Sequence, residues 1–312
     1  MATTTRNTNR QLFCDYFRDW VDCYKRGAVA SVTLRKYLMT LQRLTEIAPA
    51  IRLTELDRRR YQEILNQYAV THEKQTVLDF HRQLHSCILD ALDDGLLAAD
   101  PTRRATIKGK APQERKMKYL SHAELSALIE SLDLGDQPDW DWFILLVAKT
   151  GMRFAEALAF APGDLEIASG RIRVWHTWDY KNANGGFGPT KNATSQRLIP
   201  VDAQLICQLD SLATGHHRDE PLFVDGRVFN STANTRLAEL CREAGVPVIT
   251  IHGLRHTHAS VLLHEGVSIA SIAKRLGHAN ITTTQQTYIH IIRELEETDN
   301  DKVIRYLETL AK

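Results

Sequence analysis

"HGLRHTHASVLLHEGVSIASIAKRLGHANITTTQQTYIHI", residues 252–291, decides how the rest of this 312-residue chain is read. Its first two thirds carry apolar residues at three- and four-residue intervals, which predicts helices over about 253–266 and 268–278. The last third changes character. Between His278 and Tyr288 stand four threonines and two glutamines, where a core-packed helix would place leucines. Tyr288 is either an ordinary half-buried aromatic or a residue that must stand clear of the core to reach a substrate, and the tyrosine alone does not decide between them. At the front of the stretch, His252 and Arg255 fall one helical turn apart, so both side chains can point at one phosphate. The cluster of His252, His256 and His258 also invites a zinc reading. The glutamate of the two-His helical motif and any nearby cysteine are absent, so that reading is set aside. His256, His258 and His264 are then read as structural or surface histidines.

Attack on a phosphodiester needs an in-line nucleophile, cationic forks for the non-bridging oxygens and a proton for the leaving oxygen. Other parts of the chain offer these. "TGMRFAEAL" (150–158) places Arg153 where one apolar helix ends at a glycine and another begins. A guanidinium there binds phosphate bidentately, and Glu156, three residues on, can orient it; the bland alternative is a surface ion pair. "GPTKNATSQR" (188–197) sets Lys191 in a long hairpin, where a lysine can deliver a proton to a departing alkoxide or be an ordinary exposed loop residue, with Lys181 as its rival. Tyr180 and Tyr306 compete with Tyr288, although Tyr306 sits on an apolar helical stripe that suits packing.

Around these motifs the chain divides in two. Residues 11–26, 31–48, 53–69 and 74–95 each read as an amphipathic helix, which predicts a small all-α bundle. Residues 100–120 then carry seven Lys/Arg against two acids, with two prolines and a glycine, and no apolar period. We place the domains at 1–105 and 119–312, joined by a basic linker over 106–118. "SHAE" (121–124) opens the second domain with a capping-box signature. That domain is predicted mostly helical, with one small antiparallel sheet made by 170–178 and 195–201. The fold class is therefore mainly α with a small antiparallel β-sheet.

Composition narrows the setting. The net charge of +1 hides an asymmetry: residues 1–118 carry 21 Lys/Arg against 14 Asp/Glu, and the remainder 18 against 24. A basic front half suits a polyanion, as well as a merely solvated face. The longest apolar run, "WFILLVA" (142–148), is too short to span a bilayer. Five scattered cysteines without a Cys-x-x-Cys pair fit a reducing cytoplasm.

Arg153, Lys191, the His252/Arg255 pair, His278 and Tyr288, in that order, resemble the tyrosine recombinases, the phage-integrase family. The likeness covers nearly the whole chain, and 252–291 looks most like integrases of temperate phages and integrative elements. The resemblance implies a four-helix core-binding domain followed by an α+β catalytic domain. Tyr288 would then leave the core to meet DNA and attack the scissile phosphate, His252 take its proton, Arg153 and Arg255 clamp the phosphate, Lys191 protonate the leaving oxygen and His278 bond the phosphate. It implies no cofactor, neither metal nor ATP, because the phosphotyrosine conserves the bond energy. The implied partners are double-stranded DNA with specific recombination sites, a homotetramer on two duplexes and an accessory DNA-bending or excision factor. The implied location is the cytoplasm, on the nucleoid, with no membrane. A C-terminal helix over about 293–311 would dock in cis or on a neighbour. Two departures stand out. Ala155 replaces a common glycine, a small-for-small change. Relatives also carry a β-rich arm-binding domain, whereas here "MATTTRNTNR" leads straight into the first helix. Either the protein works without that domain, like the chromosome-dimer-resolving and inversion recombinases, or the domain has been removed. A type IB topoisomerase and a non-catalytic DNA-binding regulator are the remaining alternatives.

Overall fold

The computed structural model describes residues 11–111, 119–182, 184–190, 193–288, 304 and 307–309. It forms two units, Met1–Arg115 and Lys116–Lys312.

In the first unit, four helices follow the four amphipathic stretches: α1 (Phe13–Tyr24), α2 (Ser31–Ile47), α3 (Arg58–Ala69) and α4 (Lys74–Asp93). The third starts later than its apolar pattern suggests. Leu53–Glu55 is a 3-10 turn, and Asp57 caps α3 by accepting from the Arg60 N–H at 2.8 Å. Phe13, Phe17, Trp20 and Val21 of α1 are buried against Tyr61, Leu65, Leu84 and Ile88. The Trp20 indole finds its polar partner in Asp90, 2.5 Å away on α4. The first residues of the expected linker stay on this unit: Thr106 exchanges two hydrogen bonds with the Gln62 amide, and the Lys110 N–H donates to the His72 carbonyl. Residues 112–118 lie outside the described residues.

The second unit opens with the expected capping box at Ser121 and Glu124, which starts α5 (His122–Glu130). Next comes α6 (Trp140–Thr150), buried on nearly every side, as its continuous apolar run requires. It carries a buried carboxylate, Asp141, which accepts both Arg236 Nε (2.6 Å) and Nη2 (2.8 Å). That fork ties α6 to α9 (Asn230–Glu243), while α7 (Phe154–Leu158) and α8 (Ala203–Leu212) complete the first half. The strands are β1 (Leu165–Glu166), β2 (Arg171–Val174), β3 (His176–Trp178), β4 (Phe187–Pro189) and β5 (Arg197–Pro200). They form two small antiparallel sheets, β1-β2-β5 and β3-β4, rather than the single sheet expected. The long hairpin breaks at the exposed Trp175, so its base pairs β2 with β5 and its tip pairs β3 with β4.

The chain ends in α10 (Ile251–His264), α11 (Ile269–Leu276) and α12 (Ile281–Thr287). Of the expected C-terminal helix only 304 and 307–309 are described; they are helical and exposed. Among the described residues no helix is long and apolar enough to cross a membrane.

One glycine fixes how α6, α10 and α11 meet. Gly151 ends α6 in the left-handed region (φ +67), and a Cβ there would lie 2.7 Å from the His258 ring and 2.9 Å from Leu276. Gly151→Ala combines left-handed strain with overpacking, together about 2–4 kcal/mol. We expect a clearly lower urea midpoint with an unchanged slope; a midpoint like the wild type's would show that this junction relaxes freely.

Candidate active site

The site grows from the turn after Gly151. Arg153 is the N-cap residue of α7, and Glu156, in the first turn, folds back on it. Glu156 Oε2 accepts the Arg153 backbone N–H (3.0 Å) and Oε1 accepts Arg153 Nη1 (2.5 Å). From the start of β5, Arg197 Nη2 reaches the same carboxylate at 2.9 Å. Glu156 is only 3% exposed, so the pair is no surface bridge. Burial pushes its carboxyl pKa up, yet the charges and hydrogen bonds of Arg197 and Arg153 outweigh that, and the net shift is downward.

Arg255, on α10, is 3% exposed. Its Nη1 donates to the Gly151 carbonyl (2.6 Å) and its Nη2 to the Leu276 carbonyl (2.7 Å). Arg153 Nη2 donates to the next carbonyl, Gly277, at 3.1 Å. Both guanidiniums therefore hang on the C-terminal turn of α11. Carbonyls at a helix C-terminus lack intrahelical donors and carry partial negative charge, which holds two cations near one another. The crowding has a cost: burial, then the charges of Arg153 and Arg197, lower the Arg255 pKa to about 9, still cationic at neutral pH.

His278 follows this turn. Its Nε2 accepts from Arg255 Nη2 (3.0 Å), so its Nδ1 carries the proton and donates to Thr284 Oγ1 (2.7 Å). Burial, then the Arg255, Arg153 and Arg197 charges, press its pKa down to about 4, which keeps the imidazole neutral as the bonding requires. His252, in the first turn of α10, is exposed; what burial it has, with Arg255 and Arg153, lowers its pKa too. Arg153, His252 and Arg255 line one cavity of about 360 Å³, together with Tyr180 and Asn230. Two cationic forks and a neutral imidazole facing one small cavity can bind a phosphodiester and take up a proton.

The structure thus brings Arg153, His252, Arg255 and His278 together. Lys191 and Tyr306 lie outside the described residues. Tyr180, the rival tyrosine, does line the cavity, packed edge-on against Phe154 at 5.0 Å.

Tyr288 departs from expectation. It is 2% exposed, packed among Ala259, Leu263, Ile272 and Leu276, and burial pushes its phenol pKa up to about 12. The polar stretch does not hold it out of the core, because its apolar walls come from α10 and α11. The polarity of α12 serves other ends: Thr284 is buried on His278, while Thr282, Gln285 and Gln286 are exposed. The Tyr288 hydroxyl hydrogen-bonds His256 Nδ1 at 2.9 Å, a residue read from sequence as merely structural. His256 lies four residues after His252, on the same helical face, and that spacing was the missed signal. Arg197 was missed as well; nothing in its strand sequence points to Glu156, 41 residues away. His258 is structural as expected, donating to the Ala148 carbonyl (2.8 Å) and accepting from Arg275 Nε (2.9 Å).

Comparison with known proteins bears on the family and the fold. The model of the phage integrase family matches residues 118–294. The integrase of Staphylococcus phage L54a is 30% identical over 225 residues, covering 63% of this chain and 64% of that protein. The chain spans less than two thirds of the length of the first curated relatives it matches. In fold, it is similar to the Tn1549 transposon integrase in complex with transposon right end DNA (TM-score 0.74, 16% identity, covering 92% of this chain and 99% of that one). It is also similar to the lambda integrase tetramer bound to a Holliday junction (TM-score 0.61, 16% identity, covering 89% and 80%).

Proposed function

The chain belongs to the phage integrase family, and from that premise we propose that it is a site-specific DNA recombinase that cuts and rejoins strands through a phosphotyrosine. The observation that carries the reading is the joint anchoring of Arg153 and Arg255 on the α11 terminus, with His252 beside them on one cavity of about 360 Å³. Bound phosphate would replace solvent between the two forks, which are already held in place. Such preorganised charge favours the pentacoordinate state, where negative charge on the non-bridging oxygens is greatest.

In the proposed step, Tyr288 Oη forms a bond to phosphorus as the bond from phosphorus to the 5′-oxygen breaks. His252 receives the phenolic proton and Lys191 supplies one to the leaving 5′-hydroxyl. The product is a 3′-phosphotyrosyl enzyme. Attack by the 5′-hydroxyl of another strand reverses the bonding and releases Tyr288. For His278 to bond the phosphate, its ring must exchange the contacts with Arg255 and Thr284 for an N–H aimed at the oxygen, while Glu156 and Arg197 brace Arg153 from behind. No step uses ATP or a metal ion. The partners would be double-stranded DNA carrying recombination sites, further copies of the chain as a tetramer on two duplexes, and an accessory bending or excision factor. The α1–α4 unit would supply core-site binding. Integration or excision of a mobile element is the biological outcome this supports, carried out in the cytoplasm on the nucleoid.

The test uses a pool of radiolabelled, singly nicked duplexes with randomised cores, so that no target sequence need be known. The full chain, in EDTA and without ATP, should yield an SDS-resistant protein–DNA adduct that proteinase K removes. Absence of any adduct across the pool, at low salt and high protein, would sink the reading.

A further inference from the structure

We propose that His256 is a positioning residue for the nucleophile: its Nδ1 receives the Tyr288 hydroxyl and keeps the phenol stored off the phosphate cavity until DNA is engaged. The inference rests on the reading of Tyr288 as nucleophile, and adds a role that the recombination chemistry does not itself require.

Three observations carry it. First, the stored place is built for the phenol rather than for its anion. Among the described residues, the ring is walled by Ala259, Leu263, Ile272 and Leu276, and the hydroxyl hydrogen-bonds His256 Nδ1 at 2.9 Å. A phenol buried this deeply needs such a partner, and losing it would leave a donor unsatisfied. Second, the direction of the bond is fixed by the surroundings. Burial, then His252 and the Arg255 charge, lower the His256 pKa to about 4, so the ring is neutral; of its two tautomers, the one with the proton on Nε2 lets Nδ1 accept the buried phenol's proton and leaves that donor satisfied. Third, His256 stands between the two places that matter. Its ring centroid is 5.9 Å from Tyr288 on one side and 4.5 Å from His252 on the other. His252 lines the cavity with Arg153 and Arg255; Tyr288 does not. A phenol that lets go of His256 and moves towards the cavity therefore meets the proposed base.

The segment carrying Tyr288 is suited to that movement. Tyr288 is the C-cap of α12, a helix of seven residues entered through the left-handed Gly277 and the Asn280 cap. Among the described residues, side-chain bonds from Thr284 to His278 and from Tyr288 to His256 join this segment to the site. His278 bonds Arg255, so a phosphate drawn to that guanidinium acts on the first bond, and His256 controls the second.

Full-length His256→Phe fills the space without accepting a hydrogen bond, whereas His256→Asn returns an acceptor oxygen near the Nδ1 position. Without DNA, tetranitromethane should nitrate Tyr288 about five- to tenfold faster in His256→Phe than in wild type, the population change expected for losing one buried hydrogen bond. Protection should return in His256→Asn, read by peptide mass spectrometry. With the nicked duplex pool, the phenylalanine variant should form its adduct faster by a similar factor. Should His256→Phe fail to fold, His256→Leu takes its place. The proposal falls if nitration is unchanged, if the phenylalanine and asparagine variants behave alike, or if the freed tyrosine forms its adduct more slowly. If wild type forms no adduct at all, the recombinase reading fails instead, and nitration still decides whether His256 holds the phenol.

Discussion

Tyr288→Phe should abolish covalent capture of DNA, a loss of about four orders of magnitude or more in adduct yield, as when any sole nucleophile is removed. The substitution deletes one oxygen and leaves the packing intact. The ring keeps its contacts with Ala259, Leu263, Ile272 and Leu276, and among the described residues the bond lost is that to His256. Leaving His256 Nδ1 without its donor costs about 1 kcal/mol, too little to unfold the chain. DNA binding measured by mobility shift should also persist, since Arg153 and Arg255 are untouched. Tyr180→Phe is the decisive companion, because Tyr180 lines the cavity in this structure and Tyr288 does not. Its phenyl ring can keep the edge-on contact with Phe154, so adduct should still form. If Tyr180→Phe were silent and Tyr288→Phe active, the nucleophile would have been misassigned and the stored position of Tyr288 would be ordinary packing.

That contrast shows what a sequence can and cannot display about such a site. The helices were legible because each buries one face, so Phe13, Phe17, Trp20 and Val21 recur at helical spacing. The capping box at Ser121 and the left-handed stop at Gly151 are local chemistry, readable in a few residues. Arg153 with Glu156, and His252 with Arg255, were legible for the same reason: each pair is one turn of helix. What spans the fold was not legible. Arg197 meets Glu156 only because β5 passes the start of α7. The burial of Tyr288 was hidden because its own helix is polar, while the walls that enclose it belong to α10 and α11. Even the break of the hairpin into two sheets depends on which strand edges pair, and the strand sequences leave that open.

Glu156 carries the second large effect, this time on the fold. Its carboxylate is buried between Arg153 and Arg197 and satisfies both, along with one backbone N–H. Glu156→Ala removes the only negative charge bonded to these two guanidiniums among the described contacts. It leaves Arg197, itself 5% exposed, with a cation deep in the protein. Breaking a buried pair from one side costs about 3–5 kcal/mol, which a urea titration would show as a much lower midpoint. The surviving folded protein should also lose adduct formation by about a hundredfold or more, because Arg153 is no longer braced against the phosphate. The same carboxylate sets a pH dependence whose sign follows from its lowered pKa. A carboxyl that ionises more readily when folded stabilises the protein fully above its unfolded pKa, about 4.3. That stabilisation is lost as pH falls through the lower folded value. Wild type should therefore lose stability on acidification below about pH 4 more steeply than Glu156→Gln, which cannot titrate there. Parallel acid profiles for the two proteins would mean that the charge of Glu156, as opposed to its shape, contributes nothing to holding the arginines.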